Sequence, residues 1–217
     1  MTRESPERVG VHIAAMVEAD YVVKQSNAIN ERGPRRADPL FVTKSSPSGA
    51  SMGVGMLLGA KGPNSSVNSL CASGADAIGT ALNFIRLGYA DVMVAGGVDS
   101  SLTPVGMSGV DILGALSRQP DPLKACRPFD ANRDGFVYGE GTGLVILETY
   151  EHAKKRGAPI LAEVAGAGWS FDAFDQCRCS PKEEAYAMKT ALQNAGVKPE
   201  EVDYINAHGT STKLNDA

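Results

Sequence analysis

The sequence predicts a layered α/β fold with a largely parallel sheet. Short apolar runs rich in Val, Ile and Ala recur along the chain, as in buried parallel strands. Helical stretches with good start and stop signals lie between them. Glycine is in excess, 24 of 217 residues, about 11% against a usual ~7%. That excess fits a fold with many tight turns and close backbone approaches.

The elements follow in order. Val9–Ala15 reads as a short buried strand, and Val17–Arg32 as a helix stopped by Gly33-Pro34. A polar, basic loop and a Gly- and Met-rich segment, Ser48–Ala60, lead to a β-like run, Asn64–Leu70, which delivers Cys71. Ser73–Leu87 is a helix: Ile78, Ala81, Leu82 and Ile85 share a face, and Gly88 stands where a helix-ending glycine belongs. Asp91–Val98 is a second buried strand. Residues 117–135, with three prolines, are irregular. Val137–Glu148 reads as a buried strand, His152–Arg156 as a short charged helix and Pro159–Trp169 as another strand. Ser180-Pro181-Lys-Glu183 combines an N-cap serine, a first-position proline and a glutamate three residues after the cap. That helix runs to Gly196. Val202–Ala207 is the last strand, with His208 just beyond it.

Composition narrows the function. With 21 basic and 25 acidic residues the net charge is −4, which argues against a nucleic-acid partner, since phosphate binding needs a basic surface. No stretch approaches the roughly 18 apolar residues of a membrane helix, and the first residues lack the apolar heart of a signal peptide. Four cysteines in a chain this long do not make a disulfide scaffold. The expectation is a cytoplasmic protein with reduced thiols and no membrane partner.

Several patterns fail on counting. Asp130-Ala-Asn132-Arg-Asp134-Gly135 opens like a calcium loop, but position 12 is Gly141, with Glu140 one residue short. Gly53-Val-Gly55 misses the dinucleotide spacing by one residue, and no phosphate-binding GxxxxGK[ST] exists. Cys177-Arg-Cys179 lacks the second pair of a zinc site. No metal and no cofactor is expected.

Two reactive side chains stand at strand ends. At Asn68-Ser-Leu-Cys71-Ala-Ser-Gly74 a β run gives way to a helix, whose positive end favours negative charge and whose free N–H groups suit an oxyanion. Small neighbours leave room there for a carbonyl. At Asn206-Ala-His208-Gly-Thr210-Ser-Thr212 an imidazole is flanked by hydroxyls. On spacing alone both remain open to a second reading, the cysteine as a small hydrophobe and the histidine as structural.

At these motifs the sequence resembles the elongating β-ketoacyl-acyl-carrier-protein synthases, the condensing enzymes of fatty acid and polyketide assembly. The matching stretches are Gly59-Ala-Lys-Gly-Pro-Asn64, Cys71-Ala-Ser-Gly and Ala90-Asp-Val-Met-Val-Ala-Gly-Gly97. Arg127-Pro-Phe-Asp130, Arg133-Asp-Gly-Phe-Val137, Gly139-Glu-Gly141 and Asn206-Ala-His-Gly-Thr-Ser-Thr212 follow in family order. The resemblance implies a thiolase-like αβαβα fold, here its first half and the start of the second. It makes Cys71 the acyl-accepting nucleophile and His208 the first of two active-site histidines. Thr210 and Thr212 match hydroxyls lining the channel for the phosphopantetheine arm. The calcium-like loop becomes a structural signature. Lys44-Ser-Ser-Pro47 departs from the family, which has apolar residues there near the acyl pocket and dimer contact.

The resemblance further implies that residues 1–217 are a single, partial ketosynthase domain. The family's opening strand and helix, its lysine, its second histidine and its glycine-rich loop would fall outside the sequence, so the fragment alone is expected to be inactive. Cys71 sets the chain apart from the chain-length factors, which lack that cysteine. An acyl carrier protein and a homodimer are the implied partners, with Arg35, Arg36, Arg118 and Lys124 in polar loops as candidate carrier contacts. Two other readings compete: a non-catalytic module that binds carrier protein or a full synthase, and a Cys-His thioesterase or acyltransferase.

Overall fold

The structure is a computed structural model that describes residues 5–16, 19–175 and 179–217. The predicted start of the first helix at Val17, and Cys177 of the cysteine pair, lie outside the described residues. The chain divides into two units, Met1–Ser101 with Glu140–Val164 and Leu102–Gly139 with Ala165–Ala217.

The first unit is built on a four-stranded sheet. Val9–Ala15 forms β1, Asn64–Ser65 β2, Val92–Asp99 β3 and Gly141–Glu148 β4, in the spatial order β2-β1-β3-β4. β1 runs parallel to both neighbours, pairing Val11 with Asn64 and Val9 through Ala15 with Val92 through Val98. β4 closes the other edge antiparallel to β3, from Val92↔Glu148 to Asp99↔Gly141. The parallel sheet predicted from apolar runs is present, with one antiparallel edge.

Alternation along β1 and β3 sends side chains to two helical layers. On one face Val11, Ile13 and Val94 pack under Ala50, Val54 and Leu58. The last three belong to α3, Gly49–Leu58, the helix formed by the Gly- and Met-rich segment. On the other face Met93 and Ala95 pack against Ala81, Ile78, Phe84 and Ile85 of α4, Ser73–Arg86. α1, Ala19–Arg32, the single turn α2, Phe41–Lys44, and α6, Tyr150–Lys155, complete the unit. Arg8 braces the starts of the two central strands, its guanidinium holding Asp91 through two bonds of 3.0 and 2.6 Å.

Two polar residues are buried in this unit among the described residues: Ser51 of α3, whose hydroxyl accepts the Ile13 N–H and donates to the Ser65 carbonyl, and His12. His12 is 4% exposed on the α4 face of β1, its Nδ1 2.8 Å from Ser65 Oγ and its ring edge-on to Phe84. Its Nε2 has no hydrogen-bond partner among the described residues. Burial pushes the imidazole pKa down, opposed by the contact with Ser65.

The second unit holds α5, Pro104–Ile112, and α7, Pro181–Ala195, joined by irregular chain. Residues 117–135 are irregular as predicted, apart from a 3-10 turn at Pro122–Lys124. α7 starts at Ser180 and stops at Gly196 in the left-handed conformation, both as predicted. The cap differs from expectation: the Ser180 hydroxyl donates to the Glu183 carboxylate, and its carbonyl accepts the Glu183 and Glu184 N–H groups.

Four strand expectations are corrected. Only Asn64 and Ser65 of the run 64–70 pair, because the chain then turns away from the sheet toward α4. β4 is not buried: Leu144, Val145 and Ile146 are 40%, 43% and 61% exposed, since it is an edge strand that α4 meets mainly through Leu147. The stretch 159–169 forms no ladder. Its glycines instead lie directly on α7, where a Cβ on Gly168 would come within 2.2 Å of the Ala187 carbonyl. Residues 202–207 likewise pair with no strand among the described residues, leaving Tyr204 and Ile205 exposed. An apolar run signals burial potential; a strand also requires a free edge to pair with.

Candidate active site

Cys71 lies in the first unit, exposed, in a 3-10 turn Leu70–Ala72 that runs straight into α4. The chain enters the turn through Leu70 in the left-handed region, φ +55°, a conformation costing a non-glycine residue about 1–2 kcal/mol. Side chains bracket it. Asn68 Nδ2 donates to the Ala15 carbonyl at the end of β1 (3.3 Å), while its Oδ1 accepts the Leu70 N–H (3.2 Å). The Ser69 N–H donates to Ser73 Oγ (2.8 Å), and the Ser69 hydroxyl donates to the Asp76 carboxylate. These bonds, each worth about 1 kcal/mol and more where charged, are enough to hold the strained entry. The predicted strand-to-helix junction is thus a strand, a bracketed turn and a helix.

At the C-terminal ends of β1 and β3, starting from Ala15, whose carbonyl Asn68 bonds, opens a cleft of about 710 Å³. Ala15, Met16, Tyr21, Met52 and Val98 line it, and Lys44 stands on its wall. Strand ends of open α/β sheets are where ligands gather, and the volume suits a small-molecule site. Lys44, in the segment that departs from the family pattern, is bonded to Asp38 at 2.7 Å. Tyr21 donates to the same carboxylate at 2.9 Å. Lys44, the Leu40 N–H and Tyr21 hold the Asp38 carboxyl at about 2.

His208, Thr210 and Thr212 lie in the second unit. His208 is exposed, and its carbonyl accepts from Asn215 Nδ2. The hydroxyls of Thr210 and Thr212 are 2.8 Å apart, so the structure brings these two predicted residues together. Ser211 between them is fully buried at φ +60°. Around it the 127–135 loop closes: the Arg127 N–H donates to Ser211 Oγ (3.0 Å), and the Gly135 N–H to the Ser211 carbonyl (2.8 Å). Gly135 is required there, since at φ +130° an added Cβ would meet the Ala115 carbonyl at 2.4 Å. Arg133 reaches the Thr212 and Lys213 carbonyls.

Asp216 is the hub of this segment. It is 7% exposed and accepts the N–H groups of Phe129 (3.0 Å), Thr210 (3.0 Å) and Ser211 (2.9 Å), and Asn215 Nδ2 (3.0 Å). Burial works to raise its pKa, but these donors hold it at about 2. Nothing in the sequence marks Asp216 apart from its place four residues past Thr212. The calcium-like loop serves the same interlock. Asp134 accepts from Ser117 (2.7 Å), the Arg118 N–H (3.0 Å) and Arg127 (3.3 Å), so its oxygens are engaged by protein donors. Among the described residues no group of three or more His, Cys, Asp or Glu could hold a metal ion.

The four candidate carrier contacts divide. Arg35 and Arg36 stand exposed on a 3-10 turn of the first unit. In the second unit Arg118 is paired with Asp111 (2.5 Å) and Lys124 with Asp121 (3.4 Å), so their charge is already partly answered. No helix among the described residues is long and apolar enough to cross a membrane.

Residues 1–153 match the β-ketoacyl synthase N-terminal domain and residues 161–217 its C-terminal domain. The 3-oxoacyl-[acyl-carrier-protein] synthase 2 of Vibrio cholerae is 42% identical over 222 residues, covering 100% of this chain and 53% of the relative. The mitochondrial 3-oxoacyl-[acyl-carrier-protein] synthase of Arabidopsis thaliana is 44% identical over 219 residues, 99% of this chain and 48% of the relative. The chain therefore spans about half the length of the curated relatives it matches. Among solved structures, a type II PKS ketosynthase in complex with its acyl-carrier protein, bound to the hexaketide, superposes with a TM-score of 0.93 at 35% identity. That match covers 99% of this chain and 55% of the other. A β-ketoacyl synthase from Burkholderia phymatum gives 0.89 at 34% identity, over 100% and 54%. The fold is that of the ketosynthases, and the chain belongs to the β-ketoacyl synthase family.

Proposed function

We propose that the protein is a condensing enzyme of fatty acid or polyketide synthesis, with Cys71 as its nucleophile. The observation that carries the reading is the exposed thiol on a strained, bracketed turn at the head of α4, in a chain matched to the family over nearly its whole length. The substrate is an acyl thioester on the phosphopantetheine arm of an acyl carrier protein. The Cys71 sulfur attacks the thioester carbonyl, the C–S bond to the arm breaks, and the arm's thiol leaves with the proton from Cys71. The acyl group is then held on Cys71, its chain received by the neighbouring cleft.

Malonyl carried by a second carrier protein next loses carbon dioxide. The electrons of the broken C–C bond form an enolate, whose carbon attacks the acyl-Cys71 carbonyl and returns Cys71 as thiolate. His208 donates a hydrogen bond to the enolate oxygen as charge develops there, where such a donor acts most strongly. Thr210 and Thr212 bind the phosphopantetheine arm. The proposal draws on a thiol, an imidazole and hydroxyls, and requires no resident metal or redox group.

We further propose that residues 1–217 form part of one ketosynthase domain, that the protein acts as a homodimer, and that it works in the cytoplasm, where a catalytic thiol stays reduced. Arg35, Arg36, Arg118 and Lys124 are proposed to meet the acidic carrier protein. Incubation with acyl carrier protein, followed by malonyl carrier protein, separates the readings. A Cys71 adduct converted to a ketoacyl product supports condensation. An adduct released as free acid points to a thioesterase, and carrier binding without an adduct to an interaction module; either result overturns the proposal.

A further inference from the structure

We propose that Asp76 is a positioning residue for Cys71, acting through Ser69; this rests on the reading of Cys71 as nucleophile. Every polar group of Ser69 is engaged. Its N–H goes to Ser73 Oγ at 2.8 Å, its carbonyl accepts the Ala72 N–H at 3.3 Å, and its hydroxyl goes to Asp76. Two of the three bonds therefore tie the residue two before Cys71 to the first turn of α4. Between Ser69 and Cys71 stands Leu70, the non-glycine residue at φ +55°. A leucine keeps that conformation only where its surroundings over-determine it.

Asp76 is the acidic residue of the first turn of α4. A carboxylate there is favoured by the helix dipole wherever its oxygens point. The dipole does not explain why one oxygen is spent on Ser69, seven residues back, across the turn that carries the thiol. That bond ties the entry of the turn to the helix that follows it, so the thiol's direction is fixed by α4 rather than by the mobile tip of a loop. Nucleophilic attack on a thioester depends steeply on direction, and misplacement by about 1 Å can cost about 100-fold.

The test compares wild type with Asp76→Ala, Ser69→Ala and Asp76→Asn, which keeps an acceptor oxygen but not the charge. Two quantities are read: the rate of acyl transfer from acyl carrier protein to the Cys71 peptide, and hydrogen exchange of the amides of residues 68–74. We expect transfer to slow about tenfold in D76A and in S69A, with exchange about tenfold faster. D76N should stay within about threefold of wild type in both. Ser69→Ala removes the same bond from the other end, so a folding failure of one alanine variant leaves the other to decide. Wild-type behaviour in D76A and S69A overturns the proposal. So does a D76N variant as impaired as D76A, which would assign the effect to charge. Absence of transfer in wild type removes the functional reading instead; exchange then decides alone, and unchanged protection in D76A and S69A overturns the positioning role.

Discussion

The two segments that carry the proposed chemistry are held by opposite means. The Cys71 turn is bracketed mostly by its own neighbourhood, with Ser69 bonded to Ser73 and Asp76 four and seven residues on. The His208 segment is held by distant chain: Arg127 reaches Ser211 across 84 residues, Phe129 reaches Asp216 across 87 and Arg133 reaches Thr212 across 79. One device is a feature of a single turn and helix. The other exists only once two remote loops have met. A nucleophile that must keep one direction suits a stiff local bracket, while a segment that presents a donor and an arm-binding pair of hydroxyls is clamped from outside.

The largest effect that sharpens this contrast should come from His208→Ala. We expect acyl transfer to Cys71 within about threefold of wild type but condensation lowered by about 10²–10³-fold, the usual loss for one charge-stabilising donor. Equal losses in both steps would merge the two segments into one functional unit. Next is Asp216→Ala, which strips a buried acceptor from four N–H donors. The expected loss is about 2–4 kcal/mol of stability, read by denaturant unfolding, with faster hydrogen exchange in residues 127–135 as well as 208–216. Faster exchange confined to 208–216 would mean that the clamp does not run through this carboxylate.

A third test addresses the sheet that carries the Cys71 turn. Burial lowers the His12 pKa from the ordinary 6.5, so the unfolded chain binds a proton more readily than the folded one. Stability from this residue is complete above pH 6.5 and is lost as the pH falls below it. The slope is at most ~1.4 kcal/mol per pH unit. In His12→Gln the loss between pH 6.5 and 5 should flatten, measured by urea unfolding at several pH values; an identical slope would remove His12 as its source. The smallest effect is expected at Arg118. Because Asp111 already pairs with it at 2.5 Å, Arg118→Glu should weaken carrier-protein binding by about threefold or less, in line with exposed pairs. Reversal at the exposed Arg36 should weaken it more. The opposite ranking would shift the carrier contact to the second unit.

The same contrast decides what could be read from the sequence. The sequence predicts β1 over Val9–Ala15 and the strand occupies those residues, because five of its six consecutive buried positions are small or apolar, His12 being the exception. α4 is legible from periodicity and α7 from its start signal at Ser180-Pro181, with glycines marking the ends of both. Cys71 was legible as a candidate because the small residues after it and the helix behind it are adjacent in sequence. Asp216 was not, since its role is set by Phe129 and the loop of Arg127, partners that only folding brings near. The stretches 159–169 and 202–207 failed for a related reason: a β-rich composition does not say whether an edge is available, and Gly166 and Gly168 of the first lie instead against the backbone of α7.

The central claim is that the turn at the head of α4 makes Cys71 the acyl acceptor. Cys126 and Cys179 are exposed as well, so they serve as internal controls in one experiment. The protein is incubated with acyl carrier protein loaded with a thioester, digested, and each cysteine peptide weighed by mass spectrometry. The account predicts the acyl mass on the Cys71 peptide and on neither control. An acyl group found on Cys126 or Cys179 as readily as on Cys71, or absent from Cys71, would contradict it.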